Sequence, residues 1–257
     1  MWYKSLTACI VFSSLIFHPA GAENITSLEP IIHIGKFSGQ DPQTITPTGW
    51  TPLQFPGIEN HTAYFLLQDN KLNHSVVKAV SHNAASGLYR KVNIDPAQYP
   101  SLEWRWKISN ILKKGDVYTK QGDDYAARIY VSFHYDANRL TGMEKVKYRL
   151  YRMLRNEPPP LAVINYIWAN KAKPGTVVDN AYSPRVKMIV IDSGNNNTNK
   201  WRYVRRNVYQ DYLKVFGEKP GNITGVAIMT DTDNTGESAT AWYGDISLAK
   251  SNREAAD

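Results

Sequence analysis

Four aspartates and an arginine stand in two short stretches of this sequence. Lys120-Gln-Gly-Asp-Asp-Tyr-Ala-Ala-Arg128 carries Asp123, Asp124 and Arg128, and Thr230-Asp-Thr-Asp-Asn-Thr-Gly236 carries Asp231 and Asp233. Carboxylates paired in space can serve a glycosidic bond as acid and nucleophile or base, and Asp123, Asp124, Asp231, Asp233 and Glu237 are the candidates. A lyase for an acidic polysaccharide instead needs a cation against the uronate and a group that moves the proton. Arg128, Tyr130, Lys120 and Tyr166 would supply these. In non-catalytic glycan binding, Tyr130, Tyr166 and Trp168 offer stacking faces. Lys120, Arg128 and Arg205 then pair with hydroxyl or anionic groups, and Asp123 and Asp124 accept sugar hydroxyls. The bland alternative makes Arg128 and Arg205 structural partners of acids.

The second stretch also raises calcium. Asp231, Asp233, Thr235 and Gly236 match the first half of an EF-hand loop, but the twelfth position holds Trp242 rather than a bidentate Glu, so an EF-hand is rejected. A simpler oxygen-ligand calcium site would use Asp231 and Asp233 with Asp245, or with Asp123 and Asp124. A hairpin turn held by Asx hydrogen bonds explains the same residues without an ion. No Walker loop, G-x-G-x-x-G, G-x-S-x-G or H-E-x-x-H occurs, and His33, His61, His74 and His82 lack zinc-ligand spacing.

Strands must position these residues. From Ala127 the side chains alternate: Ala127, Ile129, Val131 and Phe133 face one way, Arg128, Tyr130 and Ser132 the other. The first set reads as core and the second as a working face. Similar alternations fall at 31–37, 62–68, 75–81, 88–94, 102–108, 163–170, 186–191, 201–205, 225–230 and 240–248. Trp104 and Trp106 read as a core wall, and Ile164, Tyr166 and Trp168 share one side of their strand. Asn207 caps a short helix, with Val208, Tyr212, Val215 and Phe216 inward and Gly217 at its end. A second helix over about 141–156 is amphipathic and basic. Met143, Val146, Leu150 and Leu154 recur at helical spacing, with Lys145, Lys147, Arg149, Arg152 and Arg155 around them. It reads either as a solvated basic face or as a contact for an anionic membrane surface or polysaccharide. The pattern as a whole predicts an all-β, antiparallel, jelly-roll-like sandwich with these two helices.

Residues 1–22 read as a secretory signal: Lys4, an apolar run from Leu6 to Phe17, and Ala20-Gly-Ala22 before Glu23. A lipobox at Leu6-Thr-Ala-Cys9 is the rival, although Cys9 lies inside the apolar run. Cleavage after Ala22 leaves a cysteine-free domain over 23–257, in the periplasm or secreted, without disulfide or thiol chemistry. Removing Lys4 lowers the formal charge of +7 by one, which suits an acidic glycan or lipid headgroup. Export argues against nucleic acid as a partner.

Several ordered blocks, taken together, resemble one family. They are Leu102-Glu-Trp-Arg-Trp-Lys107, Gly122-Asp-Asp-Tyr-Ala-Ala-Arg128, Tyr166-Ile-Trp-Ala-Asn170, Arg206-Asn-Val-Tyr-Gln-Asp-Tyr212, Met229-Thr-Asp-Thr-Asp-Asn-Thr235 and Tyr243-Gly-Asp245. They are similar to the bacterial domain-of-unknown-function 3047 family from about Ile31 to Leu248. The resemblance implies a jelly roll like that of carbohydrate-binding modules, includes the basic helix, and brings no activity with it. The expectation is therefore an exported glycan-binding or polysaccharide-binding sandwich. A lyase or hydrolase, and an envelope protein touching anionic lipid, are the alternatives.

Overall fold

The computed structural model of the protein describes residues 30–140, 142, 145 and 162–250. The expected signal segment, Cys9 and nearly all of the expected basic helix at 141–156 lie outside the described residues.

Two sheets face each other. The first contains β1 (Ile31–Gly35), β3 (Ala63–Asp69), β4 (His74–His82), β6 (Ser101–Ile108), β11 (Arg202–Asn207) and β13 (Ser238–Ala249). Its order is β11-β6-β13-β4-β3, and β1 also pairs with β13. The second contains β2 (Thr51–Leu53), β5 (Ala85–Ile94), β7 (Arg128–Phe133), β8 (Ala162–Ala169), β9 (Val177–Asn180), β10 (Ser183–Ser193) and β12 (Ile223–Asp231). Its order is β2-β5-β12-β7-β8-β10-β9. The molecule is a β-sandwich, as the alternating sequence predicts.

The pairing corrects the expectation in one place: β8 and β10 run parallel. After β8 the chain passes to the sheet edge, and β9 takes the antiparallel return before β10 comes back beside β8. Two short or half-exposed edge strands, β2 and β9, carry too little alternation to be read beforehand.

Aromatic rings fill the space between the sheets. Trp104 and Trp106 of β6 meet Tyr166 and Trp168 of β8, with ring centroids 5.3 Å apart for Trp104–Tyr166 and 5.9 Å for Trp106–Trp168. Trp106 Nε1 donates to Asp192 at 2.9 Å, Tyr166 Oη donates to Asp211 at 2.8 Å and Trp168 Nε1 donates to the Gly194 carbonyl at 3.2 Å, so three of these buried rings satisfy their polar ends. The short helix α1 (Val208–Phe216) closes one end. Asn207 Oδ1 accepts from the Gln210 N–H, Val208 and Tyr212 are buried, and Gly217 ends the helix in the left-handed region at φ 73°.

Candidate functional site

The outward face of the second sheet forms an open cleft of about 1180 Å³. Its floor follows from register. Tyr89 of β5, Ala227 of β12 and Tyr130 of β7 are cross-strand partners in one row. Adjacent strands lie about 4.8 Å apart, so the two tyrosines stand about 9.6 Å apart at the backbone with only a methyl group between them. The next outward-facing position of β12 toward its start is Gly225, paired with Ser132 on one side and Lys91 on the other. A side chain there would meet the Tyr89 ring at 2.2 Å, because the phenol end of Tyr89 fills that space. Small residues on the middle strand and rings on its neighbours make a trough.

Arg128 and the acids stand at one end of this trough. Arg128 begins β7 on the same face as Tyr130 and Ser132, and is only 3% exposed. Its Nε donates to Asp231 Oδ1 at 2.7 Å, Nη2 pairs with the other oxygen of Asp231, and Nη2 also donates to the Asp123 carbonyl at 2.9 Å. The guanidinium thus clamps the loop before β7 onto the end of β12. The Tyr125 N–H strengthens the clamp by donating to Asp231 at 3.2 Å. Burial by itself opposes charge on Arg128. Tyr130, Asp123, Tyr125 and Asp124 overcome it and hold the pKa above the ordinary value. Burial likewise raises Tyr130, against the pull of Arg128, so its phenol stays neutral.

The other carboxylates are partly spent as braces. Asp124 accepts from the Thr235 N–H at 2.7 Å and from Asn234 Nδ2 at 3.1 Å, which fixes the turn after β12. Asp123 Oδ2 accepts from Asn180 Nδ2 at 2.8 Å. Asp233 is held less tightly. Burial first, then the charge on Asp124, pushes its carboxyl above the usual value. Tyr182, exposed on the rim, donates to Asn234 at 2.6 Å and lies under the Lys120 ammonium at 5.5 Å.

Oxygens of Asp124, Asp231 and Asp233 lie within 4.8 Å of one another, the spacing of a divalent-cation cage. The donors fit such an ion poorly. Both oxygens of Asp231 face Arg128, both of Asp124 hold N–H groups, and the guanidinium already supplies the local positive charge. Asp245, expected as a third calcium ligand, sits in the other sheet. Its two oxygens accept from Ser38 N at 2.8 Å and Ser38 Oγ at 2.5 Å.

The structure therefore gathers Asp123, Asp124, Arg128, Tyr130, Asp231 and Asp233, with Lys120 at the rim. It separates the rest. Tyr166 and Trp168 are core residues, because cross-strand partners share a face and theirs are Ile129 and Asp192–Ile189 rather than Tyr130. Every residue of β8 is buried, so alternation along it does not tell the cleft face from the core face. Arg205 lies on the edge strand of the other sheet and pairs with Glu103 at 2.8 Å. Glu237 accepts from the N–H groups of Lys113 and Lys114. Tyr89, Asn180 and Tyr182 join the site without having been read from sequence. Tyr89 alone carried a signal, since it alternates with Leu88 and so opposes the core.

Residues 48–247 match the family described as "Protein of unknown function (DUF3047)". No curated protein matches the chain at a significant level. Among solved structures, a family 12 xyloglucanase from Bacillus licheniformis in complex with ligand is 9% identical, covers 86% of this chain and 92% of its own, and has a TM-score of 0.38. The enzymatically active domain of tailspike protein 4 of bacteriophage CBA120 is 11% identical over 84% of this chain and 21% of its own, with a TM-score of 0.39. The glycoside hydrolase domain of Endo-D from Streptococcus pneumoniae R6 is 7% identical over 80% of this chain and 22% of its own, with a TM-score of 0.34. The chain spans about a fifth of each of these last two.

Proposed function

The chain belongs to the DUF3047 family, and we propose that it binds a glycan in the trough between Tyr89 and Tyr130. The observation that carries this reading is the row Tyr89–Ala227–Tyr130: two rings separated by a residue too small to fill the gap. Pyranose rings present a C–H face to an aromatic ring and hydroxyls at their edges. The trough supplies rings along its floor and acceptors at one end, in Asp123, Asp233 and Asn234. Binding is favoured over catalysis because Asp231 has both oxygens on Arg128 and Asp124 has both on N–H groups of the turn after β12. No role falls to calcium in this reading. Export belongs to the proposal as well, and fractionation of cells carrying the full chain tests it.

Calorimetric titration of the 23–257 domain with a panel of neutral, acidic and amino oligosaccharides tests the binding. Binding that Tyr89→Ala and Tyr130→Ala each weaken at least tenfold supports it. Absence of binding to every member at millimolar concentration overturns it.

Hydrolysis is the second reading, and Asp233 favours it. A carboxyl raised first by burial and then by the nearby Asp124 has the character of a general acid. Against it, the carboxylate that would attack, Asp231, has both oxygens on Arg128. Reducing ends released from a bound oligosaccharide, and lost in Asp233→Asn, would establish it.

A further inference from the structure

We infer that the trough is closed at the Arg128 end and open at the other, so that it receives the terminus of a glycan chain rather than a stretch of its interior. This rests on the glycan reading and narrows it. Two independent observations carry it.

The first is a roof beside the head of the trough. Arg128 of β7, Ile167 of β8 and Val190 of β10 are cross-strand partners in one row, so their side chains share the outward face. The loop between β6 and β7 lies on that face. Its Val117 and Tyr125 are buried against Ile167, Met188 and Val190 in a hydrophobic cluster of their own. Covering this apolar surface anchors the loop, and Arg128 is left only 3% exposed.

The second is a bridge across the head. The tip of the β9–β10 hairpin sends out two side chains. Asn180 Nδ2 donates to Asp123 Oδ2 at 2.8 Å, and Tyr182 Oη donates to Asn234 Oδ1 at 2.6 Å. Asn180 Oδ1 also accepts from the Tyr182 N–H at 3.0 Å, which ties the two links together. Asp123 precedes β7 and Asn234 follows β12, so the links run from the edge of the sheet to its middle strands, across the long axis of the trough. The opposite end has a different character: Lys91 and His134 line the trough there, and both are exposed.

A chain that lies through a trough needs an exit at both ends. A wall at one end leaves room for a chain end, whose last sugar keeps free the hydroxyl that an interior sugar spends in its linkage. Half-buried Asp233 and exposed Tyr182 line the wall and can hydrogen-bond such a hydroxyl.

The experiment titrates the protein with linear laminari-, galacturono- and chito-oligosaccharides and with longer linear chains of the same linkages. The same oligosaccharides, carrying a bulky fluorescent label at either the reducing or the non-reducing end, are titrated alongside. The expected result is one protein bound per chain whatever the chain length, and a label that weakens binding at least tenfold at one end but not at the other. Tyr182→Ala removes half of the bridge and should reduce that penalty. A number of bound proteins that grows with chain length, labels at the two ends treated alike, or a penalty unchanged in Tyr182→Ala overturns the closed end and leaves glycan binding standing. Failure of every chain to bind overturns both.

Discussion

Arg128 and Asp231 lie side by side at the head of the trough, joined at both carboxylate oxygens, with Nε–Oδ1 at 2.7 Å and both side chains buried. The pair ties the first residue of β7 to the last of β12, two strands whose outward faces make the trough floor. A buried pair of this kind adds little net stability over apolar residues of equal size, but breaking it leaves a stranded charge. Arg128→Ala is expected to cost about 3–5 kcal/mol in urea denaturation, whereas Arg128→Met combined with Asp231→Leu costs clearly less. Equal costs for the single and double variants would show that the charge pair is not what holds the two strands.

Gly225 sets the position of Tyr89. A Cβ at 225 would lie 2.2 Å from the ring, so Gly225→Ala must push Tyr89 off the sheet. The expected outcome is a loss of oligosaccharide affinity as large as that of Tyr89→Ala, with both changes together no worse than either alone. Calorimetry on the three variants reads this directly.

Trp168 separates core from site. It packs on Trp106 within the sandwich and is buried. Trp168→Ala is expected to cost about 3–5 kcal/mol in chemical denaturation while the variant's folded fraction keeps its affinity. Tyr130→Ala should do the reverse, losing affinity with a smaller change in stability.

Asp233 gives a pH signature. Its carboxyl is raised above its ordinary value of 3.8, so its protonated form favours the folded state. That contribution is complete below the unfolded value and is lost as pH rises through the folded one. Asp233→Asn keeps an uncharged side chain at every pH. Its melting temperature should exceed the parent's at neutral pH, and the gap should close as pH falls below 3.8. A gap that stays constant with pH would assign the effect to packing.

Calcium should be inert. With Asp231 on Arg128, and Asp124 on Asn234 and the Thr235 N–H, millimolar calcium or a chelator is expected to leave the melting temperature unchanged. A calcium-dependent rise would show that the ion displaces these partners.

Local chemistry made most of the frame legible in the chain itself. Period-two alternation marked eleven of the thirteen strands, because a strand with one wet and one dry face must alternate. The two faces of β7 were readable for the same reason, and Asn207 with Gly217 bounded the short helix because cap chemistry is local. Pairing was not local. Which strand lies beside β7, and in which register, decided that Tyr89 faces Tyr130 across Ala227 and that Tyr166 and Trp168 turn inward. Strand β8 is covered on both faces, so its pattern carried no direction. The acids were visible as residues. Their sharing of one end of the trough, with Asp245 and Arg205 taken by partners in the other sheet, came from contacts across a hundred residues or more, and only the tertiary structure sets those.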